Sequence, residues 1–452
     1  MSYKNRLLKS IPGGAHTYSR GNDQYPENTP QILERAKDAY TYDINGNRFL
    51  DYGMGLRAVN IGYANEQINN AVIKQINFGN TLTRASVIEL EAAELLVGLI
   101  DSVDMVKFTK NGSTAVSAAV KLSRAHTGRD LVARCAEQPF FSYDDWFIGS
   151  TPLTLGIPQD TIDKTKTFSY NDIGSLEALI SKYPDQIACV ILEPSSTECP
   201  AVDGKKSGCC GKAVCERDYR KAGKNYLQEV QELCYKHGIV FVLDEMITGF
   251  RWHIKGAQYL YNVKPDLCTF GKAMANGFSV ACIAGRREIM ELGSIEHMGR
   301  ERLFLLSTTH GAEMSGMGAF VATVNYMQNH KVVDHLWVYG QKLIQLMNGL
   351  AKKFNIERNF IAAGVSCSPY YLTLDRNGKN CLGLRTLFAQ EMIKNGVLIP
   401  WIAISFSHGE KELELTKNAL EKTFEVYRKA INFGFEQYLI GDVIKPVFRK
   451  YN

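Results

Sequence analysis

Two polar residues, Asp244 and Lys272, each follow a short apolar run and carry side chains that could do chemistry together. Residues 239–243 (IVFVL) form a continuous apolar run, typical of a strand buried on both faces of a parallel sheet, and Asp244 comes directly after it. About one βαβ unit later, residues 267–270 lead into Gly271 and Lys272 in the same way. Because open α/β sheets bind ligands at the carboxyl ends of their strands, we expect the carboxylate and the amine to lie side by side. Such a pair suits pyridoxal phosphate, since the lysine forms a Schiff base with its aldehyde and the aspartate keeps its pyridine nitrogen protonated.

The same pair has other interpretations. An Asp-Glu sequence after a strand also occurs as a Walker-B acid, and Gly-Lys also occurs in ordinary loops. The chain contains no G-x-x-x-x-G-K-[ST] phosphate loop, no G-x-G-x-x-G dinucleotide motif and no G-x-S-x-G nucleophile motif. The nucleotide and hydrolase interpretations therefore lack their defining motifs, and the pair alone leaves the pyridoxal phosphate site and an ordinary loop open.

A candidate phosphate cradle lies at residues 110–115 (KNGSTA), between a predicted strand at 106–108 and a predicted helix. Gly112 lets the backbone approach a ligand, the amides of Ser113 and Thr114 begin the helix, where free N–H groups favour an anion, and the Ser113 hydroxyl can add a further bond. A plain helix N-cap is the alternative, because Ser and Thr are common caps. The helix itself is predicted from apolar residues spaced at i, i+3, i+4 and i+7, namely Ala115, Ala118, Ala119 and Leu122.

The elements that must position these residues alternate between strands and helices, which is typical of a mostly parallel α/β sheet. A hairpin is predicted over residues 39–51, around the turn sequence Asn45-Gly46. Further strands are predicted at 188–192, 239–243, 267–270, 280–284 and 370–374, and helices at 89–100, 319–329, 336–354, 384–395 and 412–433. We predict a large α/β domain and a smaller α+β domain built from both chain ends. The divisions are 1–60 (N-terminal arm and part of the small domain), 61–318 (large domain) and 319–452 (C-terminal part of the small domain).

Composition limits the class of protein. The 452 residues suffice for two or three domains, and 45% hydrophobic with 22% charged residues is ordinary for a globular protein. A net charge of +5 is too small and too scattered to indicate binding to nucleic acid or an anionic membrane. No signal peptide and no apolar run of about 18 residues is evident. Eleven cysteines without a secretion signal predict reduced thiols, and hence a cytoplasmic protein.

Residues 199–224 are unusually rich in Gly, Lys and Cys. Four thiols lie close together in this segment, but their spacing is not that of a zinc site and no His is near. We expect an inserted loop with free thiols and no metal, a zinc ion being the alternative. The cysteines are Cys199, Cys209, Cys210 and Cys215.

Several motifs together resemble those of class III aminotransferases, and most closely the branch of glutamate-1-semialdehyde 2,1-aminomutase. Residues 108–115 (FTKNGSTA) with Thr127-Gly-Arg129 resemble F-x-N-S-G-T-E-A…T-G-R, and residues 243–251 (LDEMITGFR) are similar to D-E-V-M-T-G-F-R. Further matches are Glu193-Pro194 to E-P-V, residues 269–272 (TFGK) to the Schiff-base lysine segment, residues 307–311 (STTHG) to T-x-S-G, and residues 43–46 to D-x-D-G.

The resemblance implies a fold-type I pyridoxal phosphate enzyme, active as a homodimer with shared sites. Lys272 would hold the cofactor and shuttle the proton, and Asp244 would pair with the pyridine nitrogen. Further cofactor contacts are implied for Gly112, Ser113, Thr114, Met246 beneath the ring, Phe140 on its other face, Glu193 near its substituents, and Thr308 (or Thr309) at the neighbouring subunit's phosphate.

The departures from the branch bear on the substrate. Arg20 follows an early Gly-Gly at the offset of the branch's carboxylate-binding arginine, although a surface arginine is an equal alternative. The late F-E-A-G-F stretch is missing, Trp401 lies in the short loop that remains, and G-H-A-H-P has become residues 62–66 (GYANE). These losses favour an intermolecular aminotransferase, with an amino-acid donor and a sugar-like or polyol carbonyl acceptor, over the aminomutase. A non-catalytic binding protein with this fold is a remote alternative.

Overall fold

The computed structural model describes residues 2–195, 197–205, 219–220 and 222–452. Its contacts divide the chain into two compact units. The unit of the two chain ends is formed by residues 2–65 and 334–452, and the middle unit is formed by the described residues from 66 to 333. These divisions, at 65/66 and 333/334, lie 5 and 15 residues after the boundaries expected at 60/61 and 318/319. The assignment of the three segments to an arm, a cofactor domain and a small domain stays a prediction.

The middle unit is built on a seven-stranded sheet in the order β4-β10-β9-β8-β7-β5-β6. All neighbours from β9 to β6 pair in parallel, and β10 runs antiparallel to both β4 and β9. The mostly parallel sheet expected from the sequence is therefore present. Its strands are β4 (Met105–Thr109), β5 (Leu131–Cys135), β6 (Thr165–Phe168), β7 (Ile187–Leu192), β8 (Val240–Asp244), β9 (Leu267–Phe270) and β10 (Ala281–Gly285).

The apolar runs form the central strands of this sheet, and they suit that position because helices cover both faces of the sheet. Every residue of β7, β8 and β9 is buried, as the continuous apolar pattern predicts. The helices are α3 (Glu66–Asn77), α4 (Val87–Leu99), α5 (Gly112–Thr127), α6 (Asp145–Ile148), α7 (Gln159–Ile162), α8 (Ile173–Lys182), α9 (Tyr226–His237), α10 (Ala257–Tyr261), α11 (Arg287–Met290) and α12 (Met314–His330).

The unit of the two chain ends contains a four-stranded sheet, β1-β2-β3-β13, and a hairpin, β11-β12. The predicted hairpin at 39–51 forms β2 and β3, and Gly46 in its turn has a φ of 82°, which a residue with a side chain rarely adopts. The strands are β1 (Leu33–Lys37), β2 (Tyr40–Asp43), β3 (Arg48–Asp51), β11 (Phe360–Val365), β12 (Ser368–Thr373) and β13 (Val397–Leu398). The helical segments are α1 (Tyr3–Ser10), α2 (Met54–Arg57), α13 (Val332–Lys353), α14 (Leu382–Lys394) and α15 (Glu410–Phe433).

The structure bears on two features, membrane-spanning helices and metal sites, only within the residues that it describes. No helix among the described residues is both long and apolar enough to cross a membrane. Within the same residues, no group of three His, Cys, Asp or Glu side chains is arranged to hold a metal ion. Cys199 is buried, whereas Cys209, Cys210 and Cys215 lie outside the described residues, so the expected inserted loop is described only in part.

Candidate active site

The carboxyl ends of β8 and β9 bring the two sequence-predicted catalytic residues onto one edge of the sheet. The parallel pairing sets Asp244 opposite Thr269, and Lys272 follows three residues after Thr269. Asp244 is 2% exposed, and Lys272 is partly buried. The strand pair therefore fixes the carboxylate relative to the segment that carries the amine.

The Asp244 carboxyl lies in a buried, hydrogen-bonded setting. Its Oδ1 accepts bonds from the backbone N–H of Met246 at 2.9 Å and from the hydroxyl of Thr269 at 3.0 Å. Burial raises the pKa of Asp244 to about 6, against the opposing effects of the Met246 N–H, the Lys272 charge and the Thr269 hydroxyl. Neither hydrogen bond uses Oδ2, which leaves that oxygen able to contact a protonated ring nitrogen.

Lys272 begins a short 3₁₀ turn, Lys272–Ala275, in an unusual backbone conformation. Its φ of 43° lies in the left-handed region, which costs a residue with a side chain roughly 1–2 kcal/mol. Such conformations persist where the surrounding structure holds them, and they concentrate at functional sites.

Met246 fills the space between the two glycines of the predicted site. A Cβ atom at Gly112 would lie 2.7 Å from the Met246 sulfur, and one at Gly271 would lie 2.6 Å from it. Met246 also packs with Ala115 and Ala281 in one buried cluster. The thioether thus holds the glycine loop against the strand ends, so any side chain at either glycine would displace it.

The predicted phosphate cradle is the N-terminus of the 16-residue helix α5. Its cap is Asn111, whose Oδ1 accepts bonds from the N–H of Thr114 at 2.9 Å and from its hydroxyl at 3.1 Å. The Thr114 amide, expected to face an anion, is therefore already bonded to the cap. The amides of Gly112 and Ser113 precede the first helical hydrogen bond and are the ones suited to a phosphate. The Ser113 hydroxyl accepts a bond from the N–H of Tyr143 at 3.1 Å.

A polar cluster that the sequence pattern did not reveal joins this cradle to helix α12. Lys110 forms an ion pair with Glu313, and the side-chain amide of Asn80 donates to the other Glu313 oxygen at 2.5 Å. The hydrogen bond from Lys110 is the main reason that the pKa of Glu313 lies below its usual value. Lys110 and Glu313 are 203 positions apart, so no local spacing signals the contact.

Glu245, the second acid of the Asp-Glu sequence, is fully buried and forms hydrogen bonds to the segment that follows β8. Its carboxylate accepts bonds from the backbone N–H groups of Ala257 and Gln258, both at 2.9 Å, and from the Thr248 hydroxyl. It therefore holds the loop after β8 in place.

The other predicted cofactor residues lie in different settings. Glu193 directly follows β7 and is 4% exposed, and its backbone exchanges two hydrogen bonds with the side-chain amide of Gln138, which the sequence did not single out. Phe140 is 46% exposed and meets Phe147 edge-on, with 5.8 Å between ring centroids. Thr308 is exposed in an irregular segment before α12.

The two predicted substrate residues belong to the unit of the chain ends, where they line one cavity of about 600 Å³. The indole N–H of Trp401 donates to the backbone oxygen of Gly53 at 3.1 Å, and Arg20 is exposed. Asp51 and Tyr63, which also line the cavity, hydrogen-bond to each other at 2.8 Å. The structure thus brings Arg20 and Trp401 together, and it adds an acid–phenol pair that the sequence did not single out.

Comparison with known proteins decides the family. A family model for class III aminotransferases matches residues 22–202 and 215–399. The chain belongs to the class III aminotransferase family. The gap between the two matched segments lies within the loop predicted as an insertion.

Two similar proteins with curated names are aminomutases. Glutamate-1-semialdehyde 2,1-aminomutase of Francisella tularensis subsp. tularensis (strain WY96-3418) is 28% identical over 436 residues, which cover 92% of this chain and 96% of the relative. Glutamate-1-semialdehyde 2,1-aminomutase 2 of Lachnoclostridium phytofermentans is 30% identical over 369 residues, which cover 79% and 81%.

Solved structures similar to this class III aminotransferase establish the fold. The FumI protein of Sphingopyxis sp. MTA144 matches with a TM-score of 0.82 at 22% identity, covering 95% of this chain and 97% of its own. An omega-transaminase from Sphaerobacter thermophilus gives 0.80 at 23% identity, covering 94% and 97%. A glutamate-1-semialdehyde aminomutase from Pseudomonas aeruginosa PAO1 gives 0.77 at 18% identity, covering 94% and 93%.

These findings confirm the resemblance, the fold-type I architecture and the cofactor. Class III aminotransferases use pyridoxal phosphate, and the protein is an enzyme of that family with aminotransferase chemistry. Buried Asp244, the constrained Lys272 and the amides at the start of α5 all fit the cofactor. The roles of the individual residues stay predictions.

Proposed function

We propose that the protein is an intermolecular aminotransferase that takes an amino group from an amino acid such as glutamate and gives it to a sugar-like or polyol carbonyl compound. The pairing of β8 with β9 carries the catalytic part of this proposal, because it sets the Asp244 carboxylate beside the strand end that leads to Lys272. Family membership supports the reaction class.

The residues of the strand edge have separate tasks. When bound, pyridoxal phosphate supplies an electron-withdrawing ring that stabilises negative charge on the carbon beside the amino group. Asp244 would hold a proton on the ring nitrogen, an interaction that is strong because the site has a low dielectric. Lys272 would hold the cofactor covalently, and its amine, when free, would accept and donate the proton that transamination moves.

The remaining cofactor residues bind and orient. The amides of Gly112 and Ser113 would hold the phosphate, and Met246 would support one ring face. Phe140 would cover the other face, and Glu193 would lie near the ring substituents. The exposure of Phe140 suits a residue that contacts a bound molecule.

The proposed acceptor residues are Arg20 and Trp401. Arg20 supplies a planar cation that can bind a carboxylate or phosphate through two hydrogen bonds. Trp401 supplies an aromatic wall to the cavity that both residues line. Ligand sites commonly combine aromatic side chains with a small number of polar groups that orient the ligand.

A glutamate-1-semialdehyde 2,1-aminomutase is the second candidate. The names of the 28–30% identical relatives favour it, and so does Arg20 at the offset of the branch's carboxylate-binding arginine. The missing F-E-A-G-F stretch and the altered residues 62–66 favour the aminotransferase. Dependence on a separate amino donor separates the two, because a mutase needs none.

We further propose a cytoplasmic homodimer in which Thr308, or Thr309 in the alternative alignment, reaches the phosphate of the neighbouring subunit. The exposure of Thr308 supports a contact outside its own subunit. No partner other than small-molecule donor and acceptor is proposed.

A further inference from the structure

The loop between β5 and α6 is hydrogen-bonded to the start of α5, where the predicted phosphate cradle lies. The backbone N–H of Tyr143 donates to the Ser113 hydroxyl oxygen at 3.1 Å. The Ser142 hydroxyl donates to the backbone oxygen of Ser113 at 3.3 Å. The bond from Ser142 is buried, whereas the bond from Tyr143 is partly exposed. Two neighbouring loop residues thus hold one cradle residue by its side chain and by its backbone.

Ser142 is fully buried, and the hydrogen-bonding capacity of its hydroxyl, one proton and two lone pairs, is filled. Its proton is used in the bond to Ser113. Its oxygen accepts a bond from the backbone N–H of Asp144 and a second from the Ser117 hydroxyl, both at 3.1 Å. Ser117 in turn accepts a bond from the indole N–H of buried Trp146 at 2.9 Å. The bonds therefore run in one direction, from Trp146 through two serine hydroxyls to the backbone of Ser113.

These contacts decide how the Ser113 hydroxyl can act. An N–H group can only donate, so the bond from Tyr143 makes the Ser113 oxygen an acceptor and leaves its proton for another partner. That proton forms no hydrogen bond to another described residue. Ser113 is the second residue of α5, and its amide and that of Gly112 favour an anion at the same point. The hydroxyl is therefore available to donate to a phosphate, and a bond to a charged oxygen is stronger than one between neutral groups.

We propose that Ser142 is a positioning residue of the cofactor site, which holds Ser113 so that the Ser113 hydroxyl donates to the phosphate of pyridoxal phosphate. This role rests on the proposed binding of the phosphate at the start of α5. Phe140, in the same loop, is held by its edge contact with Phe147. We therefore expect Ser142 to act on the phosphate end of the cofactor rather than on its ring.

The test compares pyridoxal phosphate with pyridoxal, which lacks the phosphate. Each is titrated into the apoenzyme prepared from the holoenzyme, and the absorbance of the bound form gives its dissociation constant. The ratio of the two constants measures the contribution of the phosphate. It is determined for the wild type, Ser142→Ala, Ser113→Ala, the double variant and Ser123→Ala. Ser123 is the matched control, because it is fully buried near the other end of α5 and its hydroxyl donates to the backbone oxygen of Ala119.

We expect Ser142→Ala to weaken the binding of pyridoxal phosphate by about 3- to 10-fold, as for the loss of one hydrogen bond, and to change that of pyridoxal by less than about 2-fold. Ser113→Ala should give a similar or larger loss. Adding Ser142→Ala to Ser113→Ala should then change the ratio little, because the hydroxyl through which Ser142 acts is gone. Ser123→Ala should change neither constant.

Equal weakening of both compounds by Ser142→Ala, or no weakening of either, would overturn the positioning role, and so would additive effects of the two substitutions. If Ser113→Ala leaves the binding of pyridoxal phosphate unchanged, the proposed cradle is wrong and the role of Ser142 falls with it. If Ser142→Ala does not fold, as judged from its melting curve, Ser117→Ala replaces it with the same criteria, since it removes the donor to Ser142 at a partly exposed position. Neither compound is an amino acceptor, so the result is independent of the donor and acceptor proposed above.

Discussion

The hydroxyl of Thr269 donates a hydrogen bond to Asp244 Oδ1 across 3.0 Å, from the strand that leads to Lys272 to the strand that ends in the acid. This bond and the Met246 N–H hold the carboxylate in one orientation although it is buried. The position of the acid is therefore set before any cofactor binds, which is the form of preorganisation that electrostatic catalysis requires.

Replacing Lys272 tests the covalent attachment. Lys272→Ala should lose both the covalent link to pyridoxal phosphate and turnover, because the amine of Lys110 in the cradle is ion-paired with Glu313 and does not replace Lys272 as attachment point and proton shuttle. The measurement is borohydride reduction of the holoenzyme followed by peptide mapping. Lys236→Ala, at an exposed position on α9, is the control and should keep the label on the peptide that contains Lys272. A label on another lysine would refute the assignment.

Asp244→Asn tests the ring-nitrogen contact. The neutral amide cannot balance the charge of a protonated ring, so kcat should fall roughly 10²-fold or more, as for removal of a central electrostatic group. Single-turnover absorbance of the donor half-reaction measures the effect separately from substrate release. Near-normal turnover would exclude Asp244 from the site.

Although it lowers kcat, the same variant should make the cofactor-free protein more stable. The folded pKa of Asp244 is about 6 and its ordinary value is 3.8, so between these values the folded state binds more protons than the unfolded state. Asp244 therefore lowers stability as the pH rises through this window, and the loss persists above it. Thermal melting of apo Asp244→Asn against apo wild type should show a gain that grows from pH 4 to pH 7. A difference independent of pH would contradict the raised pKa.

Part of this site was predictable because its signals are local. Asp244 directly follows its apolar run, and Lys272 comes two residues after its own, so the parallel sheet alone brings the two together. The predicted strand at 239–243 is displaced by one residue from β8, because Asp244 itself pairs within the sheet. Strands β5 and β6 were not individually predicted, since Arg134 and Lys166 interrupt their apolar character.

Sequence reasoning missed contacts and backbone conformations that residue type does not signal. Asp51 and Tyr63 flank the turn of α2, whose conformation no residue-type pattern predicts for Met54 or Leu56. The alternative of a Ser or Thr cap at the start of α5 rests on the general preference of those residues, whereas Asn111 occupies the cap and accepts the bond from Thr114.

The ion pair of Lys110 with Glu313 should affect cofactor retention. It connects the cradle at residues 110–113 to the start of α12, and both side chains are about one-quarter exposed, so the effect is modest. Glu313→Gln should speed release of pyridoxal phosphate by a few-fold, measured by capture of the released cofactor. In a double-mutant cycle, adding Lys110→Met to Glu313→Gln should speed cofactor release by a smaller factor than Lys110→Met does in the wild type. Strictly additive effects would show that the pair does not stabilise the cradle.

Subunit mixing tests the shared site. If Thr308 completes the phosphate site of its neighbour, a hybrid of one Lys272→Ala subunit and one Thr308→Ala subunit has one intact site of two. Activity should therefore exceed that of either parent after mixing and reassembly. Thr309→Ala, mixed in the same way, distinguishes the two alignments. A fully active monomer in sedimentation would contradict the proposal.

The most direct test of the central claim, transfer between two molecules, is the dependence of product formation on an amino donor. The holoenzyme is first titrated with a panel of amino acids by half-reaction absorbance, and the aminated enzyme is then offered carbonyl acceptors. We predict conversion with glutamate or a similar amino acid, ping-pong kinetics with a hydroxylated acceptor, and poor use of glutamate-1-semialdehyde. Efficient conversion of glutamate-1-semialdehyde to 5-aminolevulinate without any donor would contradict this account and identify the aminomutase.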